Sequence, residues 1–117
     1  MSANNHNNSN ENSEDSLNLG GNIQLSGFRA LDGASMIIIK KMVGSFANKI
    51  AEKCKKFQNL RIHLKKLHQT EGSEGINHVA VTLIDDGVHY NAEVEDRNLF
   101  VALDKVQKKI DHEKGIK

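Results

Sequence analysis

Between Asn59 and Val94 the chain alternates apolar and polar residues and keeps that rhythm on both sides of an Asp-Gly pair. Leu60, Ile62 and Leu64 interleave with Arg61, His63 and Lys65. His78 to Ile84 places Val79, Val81 and Leu83 on one side, and Val88 to Val94 does the same with Val88, Tyr90, Ala92 and Val94. Successive side chains of extended backbone point to opposite faces, so each segment is a strand with one apolar face. Asp85-Asp86-Gly87 supplies the positive φ of a tight hairpin between the last two strands. Gln69 to Gly75, with Gly72 and Gly75, is predicted to be a loop. A sheet apolar on one side must be covered on that side.

The cover is written at a different period. Behind a capping residue at Asp32, with Ser35 standing weakly for the capping-box acid, Met36, Ile39, Val43, Phe46, Ile50, Cys54 and Phe57 recur at steps of three and four. This is the stripe of a long amphipathic helix over roughly 33 to 55, and the chain has no proline to break it. A second stripe, Leu99, Ala102, Leu103, Val106 and Ile110, follows a cap at Asn98 and frays at Gly115. Ahead of the first helix, Asn22 to Gly27 alternates, with Ile23 and Leu25 on one side, and forms a short strand. The predicted fold is α+β, in the order β-α-β-β-β-α: a four-stranded mixed sheet with two helices packed on one face.

With 117 residues there is room for one domain. Residues 1 to 21 are mostly Asn, Ser and acids, and cannot bury enough to offset their ordering entropy. They are predicted to form a disordered acidic tail, leaving 22–117 as the domain. The net charge of +1 averages these unlike parts. The tail has three acids (Glu11, Glu14, Asp15) and no base, so the domain carries all 16 bases against 12 acids, a net +4.

Catalytic and metal chemistry find little support. His6, His63 and His89 are scattered, Cys54 is the only cysteine, and no phosphate-binding or nucleophile-elbow motif occurs. Cys54 lies on the apolar stripe, where core packing explains it, and the hairpin turn explains Asp85 and Asp86. We therefore expect no enzyme, no cofactor, no metal and no small-molecule substrate. A lone cysteine and the lack of a signal peptide suit the cytoplasm. The run Met36 to Ile39 is far too short to span a bilayer, so no membrane association is expected. With four Phe, one Tyr and no Trp, a row of base-stacking rings is not available.

The basic residues are more informative. Lys41, Lys49, Lys53 and Lys56 fall within about a third of the first helix's circumference, beside its stripe. Arg97, Lys105, Lys108 and Lys109 gather on the last helix, opposite Leu103 and Val106. Two neighbouring helices would bring both sets onto one outer surface with few compensating acids. Such a surface suits sequence-independent binding to a phosphate backbone.

The chain resembles the ribosome hibernation-promoting factors, also described as ribosome-associated inhibitors or S30AE proteins. The resemblance covers about residues 22 to 113. The opening NIQLSG resembles that family's strand before a capped helix, and the element order and spacings match. The stretch from Tyr90 to Asp104 resembles the family's A-x-A-x-x-x-D-M-Y-x-A-I-D. Asn98 stands there at the capping Asp, Leu99 at Met, Phe100 at Tyr and Ala102-Leu103-Asp104 at Ala-Ile-Asp, with Lys109-Ile110 on the D-K-L that follows. The resemblance implies binding to rRNA in the decoding region of the small ribosomal subunit, across the mRNA and tRNA sites. Helix residues would make the contacts: Lys109 by match, and Lys105, Lys108 and the first-helix lysines by extension.

Three features depart from that pattern. The first helix is about a turn longer, His112 stands where an Arg is frequent, and the basic C-terminal extension is short. Without the long form's dimerisation domain a monomer is expected. A double-stranded-RNA-binding module has a similar outline, but it needs a Lys-rich start to the last helix, where this chain has Glu95-Asp96-Arg97-Asn98. A third possibility is an α+β interaction domain whose open sheet face (Arg61, His63, Lys65, Thr82, His89) meets a protein.

Overall fold

The structure is a computed structural model that describes residues 16–67 and 75–115. Its elements are β1 (Ser16–Asn18), β2 (Ile23–Ser26), α1 (Gly33–Glu52), β3 (Phe57–Leu67), β4 (Ile76–Asp85), β5 (Val88–Asp96) and α2 (Leu99–Glu113). The five strands lie side by side in chain order. β2 and β3 are parallel, joined through α1, and every other neighbouring pair is antiparallel.

The α+β class and the mixed sheet agree with the sequence, whereas the strand count does not: the described residues form five strands, not four. The extra one, β1, comes from the segment expected to be disordered. Gly20, Gly21 and Asn22 all take positive φ and turn the chain back, so that Leu17 faces Leu25 across the pair. Asn18 Oδ1 braces that turn by accepting from Gly20 N at 2.8 Å. Composition hides such a strand because its side chains stay exposed and backbone hydrogen bonds hold it. The rest of the expected tail, 1–15, and all of the expected loop except Gly75 lie outside the described residues.

One face of the sheet is fully committed. Leu25, Leu60, Ile62, Leu64, Val79, Val81 and Leu83 are buried in a single core with Ile39, Val43, Phe46 and Ile50 of α1 and Ala102, Leu103, Val106 and Ile110 of α2. Both helices therefore cover the same face. The period-2 and 3.6-residue patterns each have one apolar side, and this layering buries both. Among the described residues no helix is long and apolar enough to cross a membrane.

Local signals set the element ends. Asp32 caps α1, its Oδ2 accepting from Ser35 N at 3.1 Å, and hydrogen bonds from the Ser35 hydroxyl and amide lower its pKa. Asn98 Oδ1 caps α2 by accepting from Phe100 N at 2.9 Å and Val101 N at 3.1 Å. Asp86 (φ 51°) and Gly87 (φ 81°) form the two-residue turn between β4 and β5, with both central residues in the left-handed region. α1 ends at Glu52, short of the expected 55. Cys54 and Phe57 lie beyond it, still half-buried against the core, and Phe57 opens β3. The apolar rhythm runs past the helix because the following turn faces the same core.

Candidate nucleic-acid interface

The two helices run parallel, because each folds back over the strand before it and β2 and β5 point the same way. Their carboxyl ends meet at the β4–β5 hairpin, where one carboxylate joins them. Asp85 accepts from Lys55 N (3.2 Å), Lys56 N (2.7 Å) and Lys114 Nζ (2.8 Å). Both side chains of the ion pair are shielded, 4% exposed for Asp85 and 8% for Lys114, and Lys114 Nζ lies 4.7 Å from the centre of the Tyr90 ring. The Lys114 ammonium, then the amide donors, hold the Asp85 pKa at about 2, and the Asp85 carboxylate raises that of Lys114. Burial, and then the nearby Asp85 charge, push the Cys54 thiol up. Turn formation alone therefore does not explain Asp85, contrary to the sequence reading. Its second role depends on Lys114, 29 residues away, which no local pattern shows.

The eight expected contact residues are distributed around this frame. Lys41 and Lys49 lie exposed on α1. Lys53 is the C-cap rather than a helix residue, its N–H reaching Ile50 O and Ala51 O. Lys56 lies in the turn before β3, and Arg97 in the turn before α2, where its carbonyl accepts from Asn77 Nδ2 at 2.8 Å. Lys105, Lys108 and Lys109 are on α2. α1 meets α2 along Met42, Val43, Phe46, Leu103 and Gln107.

Lys105 and Lys109 occupy the other flank of α2. They lean over the free edge of β5, beside a shallow groove of about 750 Å³ that Glu93, Glu95 and Glu113 also line. The single shared surface expected from the sequence is not formed. Helical angle alone does not show which flank of a helix meets its neighbour.

The expectation of few compensating acids also fails on α2. Lys105 Nζ pairs with Asp96 at 2.8 Å and Lys108 Nζ with Asp104, four residues back, at 3.1 Å. Lys105 lowers the Asp96 pKa, with the Asn98 amide assisting. Lys109 Nζ donates to Glu93 O at 2.9 Å and so occupies a carbonyl of the strand. The Lys108–Asp104 pair is 77% and 56% exposed, and an exposed helix pair of this kind contributes only ~0.3–0.5 kcal/mol.

Four cations stand together without such partners among the described residues. Lys49, Lys53, Lys55 and Lys56 are all exposed at the end of α1 and in the turn that follows, with Glu52 the only acid in that stretch. Lys55 is not among the residues expected from the sequence; it lies in the turn after α1, where helical spacing does not apply. The negative end of the α1 dipole favours cations here.

What the fold and surface define is an α+β domain with two parallel helices on one side of its sheet, a lysine cluster at their carboxyl end and an opposite face that no helix covers among the described residues. No protein-family model matches the chain, and no curated protein matches it.

Proposed function

We propose that this chain is a ribosome hibernation factor. It binds rRNA in the decoding region of the small ribosomal subunit and blocks the mRNA and tRNA sites by occupancy, with no catalytic step. The observation that carries the reading is the unpaired cluster Lys49, Lys53, Lys55 and Lys56 on a layered fold that contains the β-α-β-β-β-α order the family resemblance implies, with β1 added at its edge. Flexible ammonium groups without carboxylate partners are free to exchange counterions for phosphates. Lys41 extends the cluster along α1. Lys108 joins it from α2 when phosphate replaces its weak pairing to Asp104. Lys105, Lys109 and Arg97 are peripheral in this reading, since the first two are committed to the β5 edge.

Sedimentation of the full chain with purified small subunits across a salt series tests the proposal. Co-migration at 50 mM salt, lost progressively toward 200 mM, is expected for a few phosphate contacts. Replacing Lys49, Lys53 and Lys56 by Ala should reduce the magnitude of the log–log salt slope by about 0.7–0.9 per contacting residue. Replacing Lys105 and Lys109 should change it less. Absence of co-migration at low salt overturns the function. A slope unchanged by the triple replacement overturns the site.

A further inference from the structure

The face of the sheet away from the helices is polarised in a way that ribosomal occupancy through the helices does not use. On β3, Arg61, His63 and Lys65 point outward in one row, because Leu60, Ile62 and Leu64 between them are buried. Register places Gln24 beside Arg61 and Ser26 beside His63, then Asn18 beside Gln24 and Ser16 beside Ser26. Asn59 continues the row, its Oδ1 accepting from Arg61 Nε at 3.1 Å. Among the described residues, this half of the face carries three basic groups, several uncharged hydrogen-bonding side chains and no carboxylate.

The other half has the opposite character. Glu93 and Glu95 point outward from β5, and Glu93 Oε1 lies 2.9 Å from His78 Nε2, which engages the neighbouring imidazole. Across Lys65 the register runs to His78 and then to Glu95. A polyanion laid on the sheet is thus attracted to the β1–β3 side, whereas toward β5 it meets the carboxylates Glu93 and Glu95, whose charge Lys105 and Lys109 at the edge offset only in part.

The geometry points to a single strand of RNA lying along β3, its phosphates on Arg61, His63 and Lys65 and its riboses over the neutral groups of β2 and β1. Outward positions on a strand repeat at about 6.7 Å, two residues at ~3.3–3.4 Å each, comparable to the phosphate step of an extended nucleic-acid strand. Neither Arg61 nor Lys65 is engaged by a carboxylate among the described residues. Ser26 Oγ holds His63 Nδ1 at 2.7 Å and leaves Nε2 as the nitrogen open to a ligand. One strand spacing away, Gln24, Ser26 and Asn18 offer donors and acceptors suited to a 2′-hydroxyl, the group that distinguishes RNA from DNA. With no aromatic residue on this half, bases are not stacked and the contact is tolerant of sequence. The site is separate from the lysines of α1 and α2, which lie across the sheet, so it stands or falls independently of the ribosomal proposal.

Titration of the ¹⁵N-labelled full chain with a uridine hexanucleotide at low salt is the test. Shift changes are expected at Gln24, Ser26, Arg61, His63 and Lys65. The pair Arg61→Gln/Lys65→Gln, both solvated positions whose loss leaves the core intact, should reduce the magnitude of the salt slope by about 1.4, two contacts at ~0.7 each for a single strand. Glu95→Gln should tighten binding roughly twofold by removing a repelling charge, a gain that mere perturbation of the fold does not produce. Perturbations confined to α1 and α2, or a double variant with unchanged affinity and salt dependence, overturn the site. Equal binding of the matching deoxyuridine hexanucleotide overturns its assignment to RNA.

Discussion

Asp85 does the most work of any single side chain. It terminates β4, pairs across the hairpin with Val88, caps the turn after α1 through two amides and holds the end of α2 through Lys114. Its carboxyl titrates at about 2 in the fold against 3.8 ordinarily. A depressed folded pKa means the stabilisation is complete above the ordinary value and is lost as pH falls toward the folded one. Stability measured by urea denaturation should therefore fall between about pH 4 and pH 2, with Asp32 and Asp96 contributing in the same direction. In Asp85→Asn the drop over that window should be smaller, starting from a lower plateau at neutral pH where Lys114 is left buried without its counterion. An equally steep acid limb in the variant would show that other carboxyls control it. Cys54, beside this pair, is held as a thiol by burial and by the Asp85 charge, so slow alkylation at neutral pH is the expected behaviour.

Among elements, the junctions are more sensitive than the interiors. Gly27 directly follows β2 with φ +85°, and a Cβ there would collide with the carbonyl oxygen of Leu64 on β3. Gly27→Ala must shift one of two adjacent parallel strands as well as adopt an unfavourable backbone conformation. A loss well above ~1 kcal/mol is expected, read as a lowered denaturation midpoint. At the start of α2, Asn98→Ala removes the acceptor for two amides and should cost about 1 kcal/mol, whereas Asn98→Asp, which keeps the acceptor, should cost little. The family resemblance places an Asp at this position, and the geometry explains why either residue serves. These caps were legible in the sequence because capping is local. The end of α1 was not: Cys54 and Phe57 continue the apolar spacing after the helix has stopped, and periodicity reports burial rather than hydrogen bonding.

At the scale of the molecule, both sheet edges carry a defence against pairing with another chain. β5 is crossed by Lys105 and Lys109, the latter filling the Glu93 carbonyl. The opposite edge is the three-residue β1, too short to template a long pairing, and it covers β2. Removing residues 1–18 should leave the core folded, since β1 contributes only exposed side chains, but it uncovers the β2 edge. Increased self-association, followed by light scattering after size exclusion, is expected for the truncated chain. A truncated chain that stays monomeric at high concentration would show the edge is harmless without β1.

The sequence alone determined the layering. Two periods, each with one apolar side, can bury those sides only against each other, and caps, hairpin glycine and alternation fixed most of the elements within a few residues. Tertiary structure decided the distribution of charge. Lys105 and Lys108 met Asp96 and Asp104, Lys114 met Asp85, and Lys105 and Lys109 of α2 turned to the flank over β5, away from the lysines of α1. Apolar burial follows from spacing along one element. Which charges become partners depends on distances between elements, and those exist only once the chain has packed.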